Sequence, residues 1–147
     1  MATRNRTVYF YQPGQGPCTY IPFSDADDDD VRISSHCVDS INHTVDLMIV
    51  WPNGSKGQWF SEYDVQSVKP NKVYDYWRNL DGRFAATKLS KYHVFNISDE
   101  HGTYYHIQWT GYDENDGTWE TKVKVKLICP RAVLNWEDGK KHAAPKV

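Results

Sequence analysis

The chain has 147 residues, room for one ordinary domain or two very small ones. A formal net charge of −2 speaks against a general nucleic-acid binder, which carries a basic excess. Three cysteines (Cys18, Cys37, Cys129) without CxxC spacing speak against a disulfide scaffold or a zinc site, and fit a reduced compartment. No N-terminal apolar stretch reads as a signal peptide and nothing approaches a membrane span, so no membrane partner is expected. The Asn-x-Ser/Thr sequons at Asn5, Asn42, Asn53 and Asn96 are read as chance on that ground.

In chain order, Thr7–Tyr11 reads as a strand and Pro13–Pro17 as a turn. The aspartates Asp25 and Asp27–Asp30 repel one another and read as a solvated loop. Val31–Val38, Val45–Trp51 and Gly57–Val65 read as three strands, with a Pro52–Ser55 turn between the last two. Pro70 opens a helix, where its missing N–H costs nothing, and Val73, Tyr74 and Trp77 recur at helical spacing. Asp81-Gly82 ends it. The same order then repeats: strands over Lys91–Ile97, Thr103–Trp109 and Gly117–Lys126, then a short helix from Pro130 to Trp136 and a polar tail after Gly139.

The aromatics repeat with the elements. Trp51 and Trp109 each end an apolar run, Trp59 and Trp119 follow, and eleven residues separate Trp59 from Pro70 and Trp119 from Pro130. A repeat of about 58 residues implies two copies of one small module. Modules of that size leave much surface wet, so six Trp, ten Tyr and five Phe are a valuable apolar payload. The expected fold is mostly β with short helices: two tandem modules, each a curled three-stranded antiparallel sheet closed by a C-terminal helix. Residues 1–24 form an extension, 25–80 the first module, 81–88 a linker and 89–142 the second module.

Within 89–138, Tyr92-His-Val94-Phe-Asn-Ile97, Trp109-Thr-Gly111-Tyr112, Gly117-Thr-Trp119-Glu120 and Cys129-Pro130 resemble the chromodomain family. The first module is a looser match; its tail from Asp64 to Tyr76 looks more like the chromoshadow variant, which serves dimerisation and partner binding. The resemblance implies a nuclear chromatin protein that reads methylated, preferably trimethylated, lysine on a histone tail. A quaternary ammonium is charged but has no N–H to donate, so electron-rich ring faces hold it best. The family's three cage positions fall on Tyr92, Trp109 and Tyr112, with Asp116 where an acid often stands beside the cage. Each ring also has a packing reading, and Trp119 is expected in the core; Tyr112, in a loop, is the hardest to explain as core.

The resemblance further implies that the peptide adds as a strand between Lys91–Asn96 and Thr121–Lys126, with Val94, Glu120, Thr121 and Val123 lining the groove. There the chain departs from the family. Lys88 and Lys91 replace flanking acids, and Lys122, Lys124 and Lys126 would share one strand face over buried Val123 and Val125. That lysine comb reads as a solvated face or as a contact for an acidic or nucleic-acid partner, which keeps nucleic acid as a secondary expectation. The first module has no cage: Ser34 or Ser35 and Gly54 occupy the tyrosine positions. Tyr74, Trp77 and Leu80 on its helix are candidates for a homodimer or protein-partner interface, with internal core as the alternative. Six scattered histidines, no HExxH, no glycine-rich phosphate loop and no GxSxG leave no basis for an enzyme, a cofactor or a metal. The rival reading is a chromoshadow-like adaptor that dimerises or captures a partner peptide without reading methyl-lysine.

Overall fold

A computed structural model describes residues 8–9, 31–52 and 56–142 of the chain. The strand Val8–Tyr9 (β1) falls inside the stretch expected to be extended. The Pro13–Pro17 turn, the aspartate run, Gly54, Cys18 and the end of the tail lie outside the described residues.

The first unit is a three-stranded antiparallel sheet of β2 (Arg32–Asp39), β3 (Thr44–Val50) and β4 (Gln58–Ser61). Two helices follow, α1 (Glu62–Val68) and α2 (Pro70–Arg78). After a short helix α3 (Arg83–Thr87), the second unit repeats the plan with β5 (Tyr92–His101), β6 (Tyr104–Trp109) and β7 (Thr118–Thr121). A 3-10 turn, Glu114–Asp116, precedes β7, and α4 (Lys122–Ile128) and α5 (Pro130–His142) close the unit. The result is a mixed fold of small antiparallel sheets and short helices. β1 adds to the second sheet in parallel, pairing Val8 with Tyr92 and Tyr9 with His93, so the strand order is β1-β5-β6-β7.

Each unit buries its own core. Val45, Leu47 and Ile49 alternate inward along β3 and meet Phe60, Val65, Val73 and Trp77. In the second unit Tyr105, Ile107 and Trp109 do the same along β6 against Val125, Cys129 and Val133. Val65 and Val125 are equivalent anchors, both fully buried on the first helix of their unit.

Three expectations need correction. The strands expected over Gly57–Val65 and Gly117–Lys126 both stop after four residues and turn helical. The cause is an N-cap at the same place in each copy. Ser61 Oγ accepts from the Asp64 N–H at 3.1 Å and Thr121 Oγ1 from the Lys124 N–H at 3.3 Å, satisfying donors that a helix start leaves open. Trp119, expected in the core, is 48% exposed. It packs against His106 with tilted rings whose centroids are 5.0 Å apart, and Trp59 is exposed at the matching place opposite Met48. Finally, the segment 81–88, expected only as a linker, carries a helix of its own, α3, and Arg83 is one of the most buried charges described.

Candidate functional site

The two units meet across a polar seam built around Arg83. Its Nη2 donates to Glu62 Oε1 at 2.7 Å and its Nε to Glu62 Oε2 at 2.9 Å, a bidentate pair with both side chains at most 3% exposed. Trp77 Nε1 donates to the same carboxylate at 2.8 Å. Burial works against the charged guanidinium, but Glu62 outweighs it, and the pKa of Arg83 is raised. The guanidinium carbon lies 6.0 Å from the Trp77 ring centroid and 5.7 Å from that of Tyr112, one ring from each unit.

Gly111 makes this approach feasible. Its φ of +90° suits glycine, and a Cβ there would come within 2.2 Å of Arg83 Nε and 2.5 Å of Glu62 Oε2. Its N–H donates to Gln66 Oε1 at 2.7 Å. Gln108 Nε2 donates to the Tyr74 hydroxyl at 2.7 Å and to the Tyr112 carbonyl at 2.9 Å. Tyr63 Oη donates to the Phe95 carbonyl at 3.3 Å, and His93 Nε2 lies 2.9 Å from the Asn42 carbonyl. Nothing in the composition pointed to this seam. The one signal available was Gly111 beside Tyr112, whose requirement for glycine becomes plain only when Glu62 and Arg83 face it.

The three aromatic positions singled out in the sequence come together. The Tyr92 ring is 6.2 Å from that of Trp109 and 5.3 Å from that of Tyr112, the latter in an edge-on arrangement. Strand β5 supplies the first, the end of β6 the second, and the left-handed turn at Gly111 the third. Trp109 Nε1 donates to Thr118 Oγ1 at 3.0 Å. Access differs sharply among them: Tyr92 is 5% and Trp109 1% exposed, so Tyr112 is the ring that reaches a surface. That surface is a cleft of about 220 Å3 between the units, lined by Tyr74, Trp77, Arg78, Gly82 and Arg83 on one side and Gly111, Tyr112, Asp113 and Asp116 on the other. Burial pushes the Tyr112 phenol well above its ordinary pKa, Arg83 only partly opposing, so Tyr112 stays a neutral ring.

The groove residues fare differently. Val94 is a core residue paired with Trp109. Glu120 accepts from Thr118 Oγ1 at 2.7 Å and Lys124 Nζ at 2.8 Å. Thr121 is the N-cap of α4, and Val123 is 71% exposed on that helix rather than buried. The main chain of residues 122–126 is therefore committed to a helix and does not form the groove strand expected there. The outer edge of β5 at Tyr92 and His93 is paired with β1. The lysine comb also dissolves: helical geometry turns Lys124 away from Lys122 and Lys126, Lys122 pairs with Glu100 at 2.6 Å and Lys124 with Glu120 at 2.8 Å.

The partner-interface candidates are corrected in part. Trp77 is core, and Tyr74 faces the second unit rather than a separate partner; Leu80 is exposed. Other strongly exposed apolar residues lie elsewhere, Ile41 after β2, Val123 and Leu127 one turn apart on α4, and Leu134 on α5. No helix among the described residues is long and apolar enough to cross a membrane, and no group of three or more His, Cys, Asp or Glu among them is placed to hold a metal.

Comparison of the chain with protein-family models, curated proteins and solved structures finds no match.

Proposed function

We propose that the chain is a nuclear chromatin reader of the chromodomain type, binding a methylated, preferably trimethylated, lysine on a histone tail at the aromatic cluster of its second unit. The observation that carries this reading is the convergence of Tyr92, Trp109 and Tyr112, rings separated by up to 20 residues, onto one another at 5.3 and 6.2 Å. Of these rings Tyr112 lines the cleft together with Asp116, and its face is worth about 0.5–2 kcal/mol to a quaternary ammonium, plus the attraction of the carboxylate. The first unit has no second aromatic at the cage positions and supports the second.

The test is calorimetric titration of the full chain with histone-tail peptides carrying trimethyl-lysine or unmodified lysine. The trimethylated peptide is expected to bind about tenfold or more tightly, and Tyr112→Leu to remove most of that preference. Equal affinity for both peptides, or a preference that survives Tyr112→Leu, would refute the reading.

A second reading rests on one observation, the exposed set Val123, Leu127 and Leu134 on α4 and α5. In it the chain is an adaptor that pairs with itself or a protein partner through that face. Light scattering would then give a mass that rises with concentration and returns to that of one chain on Leu127→Lys.

A further inference from the structure

We infer that the first unit is a working half of the binding site: the cleft between the units is where a cationic side chain enters, held by Tyr74 from the first unit against Tyr112, Asp113 and Asp116 from the second. This deepens the methyl-lysine reading and rests on it for the identity of the ligand.

Three features support the assignment. The first is access. Tyr92 and Trp109 are shut off from solvent, whereas Tyr112 lines a cleft of about 220 Å3, many times the roughly 10–15 Å3 that one water requires. A ligand that touches the cluster meets Tyr112 first, and across the cleft from it meets Tyr74.

The second is charge. Arg78 and Arg83 line the cleft, but each has its own carboxylate, Asp75 and Glu62 respectively, and neither of those acids lines it. Among the described residues, no ion pair uses Asp113 or Asp116. Once the paired arginines are set aside, two carboxylates remain without a cation, so the cleft favours a positive ligand over a neutral or anionic one.

The third is the wall chemistry. Tyr74 and Tyr112 are rings that attract a cation without needing a hydrogen bond from it. The seam already holds one such cation, since Arg83 lies against both Trp77 and Tyr112. An alkylated ammonium suits these walls better than a bare one, because it gives up less hydration to reach them. The left-handed turn at Gly111 and the N-cap that Asp113 Oδ1 makes to the Asn115 N–H at 2.7 Å fix Tyr112 and the acids in place.

The experiment is an NMR titration of the full chain with N-acetyl-trimethyllysine methylamide, and with its unmethylated counterpart, at two salt concentrations. The paired substitution Asp113→Asn with Asp116→Asn keeps the shape and the turn cap while removing both charges. Expected are shifts at Tyr74, Gly111 and Asp113, with affinity for the methylated probe about tenfold lower in the double variant and less dependent on salt. Tyr74→Leu should weaken the probe while Tyr74→Phe, which keeps the ring, should not. Binding with shifts confined to Tyr92, Trp109 and Val94, unchanged in the double Asn variant, would overturn the composite cleft and leave the methyl-lysine reading standing. Equal binding of both probes in the cleft would keep the cleft as a cation site and remove the methyl-lysine reading. Binding of neither would overturn both.

Discussion

A glycine with φ of +90° next to a buried ion pair makes a sharp residue-level test. Gly111→Ala must strain a left-handed backbone and push a methyl into Arg83 and Glu62, and is expected to cost about 2–4 kcal/mol in chemical denaturation. The ion pair itself allows a second test. Glu62→Leu leaves a buried guanidinium unpaired and should cost about 3–5 kcal/mol, whereas Glu62→Leu with Arg83→Met should recover most of that loss. A double variant no more stable than Glu62→Leu alone would show that the pair does not act as a unit. At this scale the sequence was informative about kind and poor about direction. The spacing of Tyr92, Trp109 and Tyr112 was enough to suspect that they meet. Nothing in the spacing showed that Trp119 turns outward, because its neighbours alternate in a strand of four residues with no strongly apolar residue to fix which face is inside.

At the scale of elements, equivalent positions carry opposite charges. Glu62 and Lys122 both open the helix that follows the third strand of their unit. A negative residue there is favoured by the helix dipole and a positive one is not. Lys122 is held instead by Glu100 on β5, which also accepts from Trp136 Nε1 and Lys140 Nζ on α5, each at 2.6 Å. Glu100 thus clips both C-terminal helices to the sheet. The hydrogen bond from Lys122 is the largest cause, followed by those from Lys140 and Trp136, of a Glu100 pKa lowered from 4.5 to about 2. A carboxylate held low in the folded chain stabilises it fully above the unfolded value and loses that contribution as pH falls. The second unit should therefore weaken between pH 4.5 and about 2, and Glu100→Gln should lower stability at neutral pH while flattening that acid slope, read by denaturation across the range. An unchanged slope would remove Glu100 from this role. The helix at Lys122–Ile128 illustrates why elements were legible only in part. Lys-Val-Lys-Val-Lys alternates with the period of a strand, and the short-range signal against it was a single threonine able to cap. The prolines at 70 and 130 were plain markers and do open α2 and α5.

The whole molecule is two small cores joined by a seam of buried polar contacts. Each core is the size at which a domain alone is marginal, so the seam should make their unfolding one event. Denaturation followed by tryptophan fluorescence and by circular dichroism is expected to give coincident transitions in the native chain and separated ones in Gly111→Ala. Separated transitions in the native chain would mean that the units hold apart. The repeat, the three strands of each unit, the helices opened by Pro70 and Pro130 and the aromatic set were legible in local pattern, because side-chain periodicity, proline placement and repeat spacing act over a few residues, whereas α1, α3 and α4 were not. Which side of Tyr112 meets the first unit, that Arg83 is an internal cation and that Asp113 and Asp116 face Tyr74 were decided by tertiary structure alone. Those facts depend on contacts between residues 20 to 50 positions apart, and such contacts leave no periodic trace in the chain.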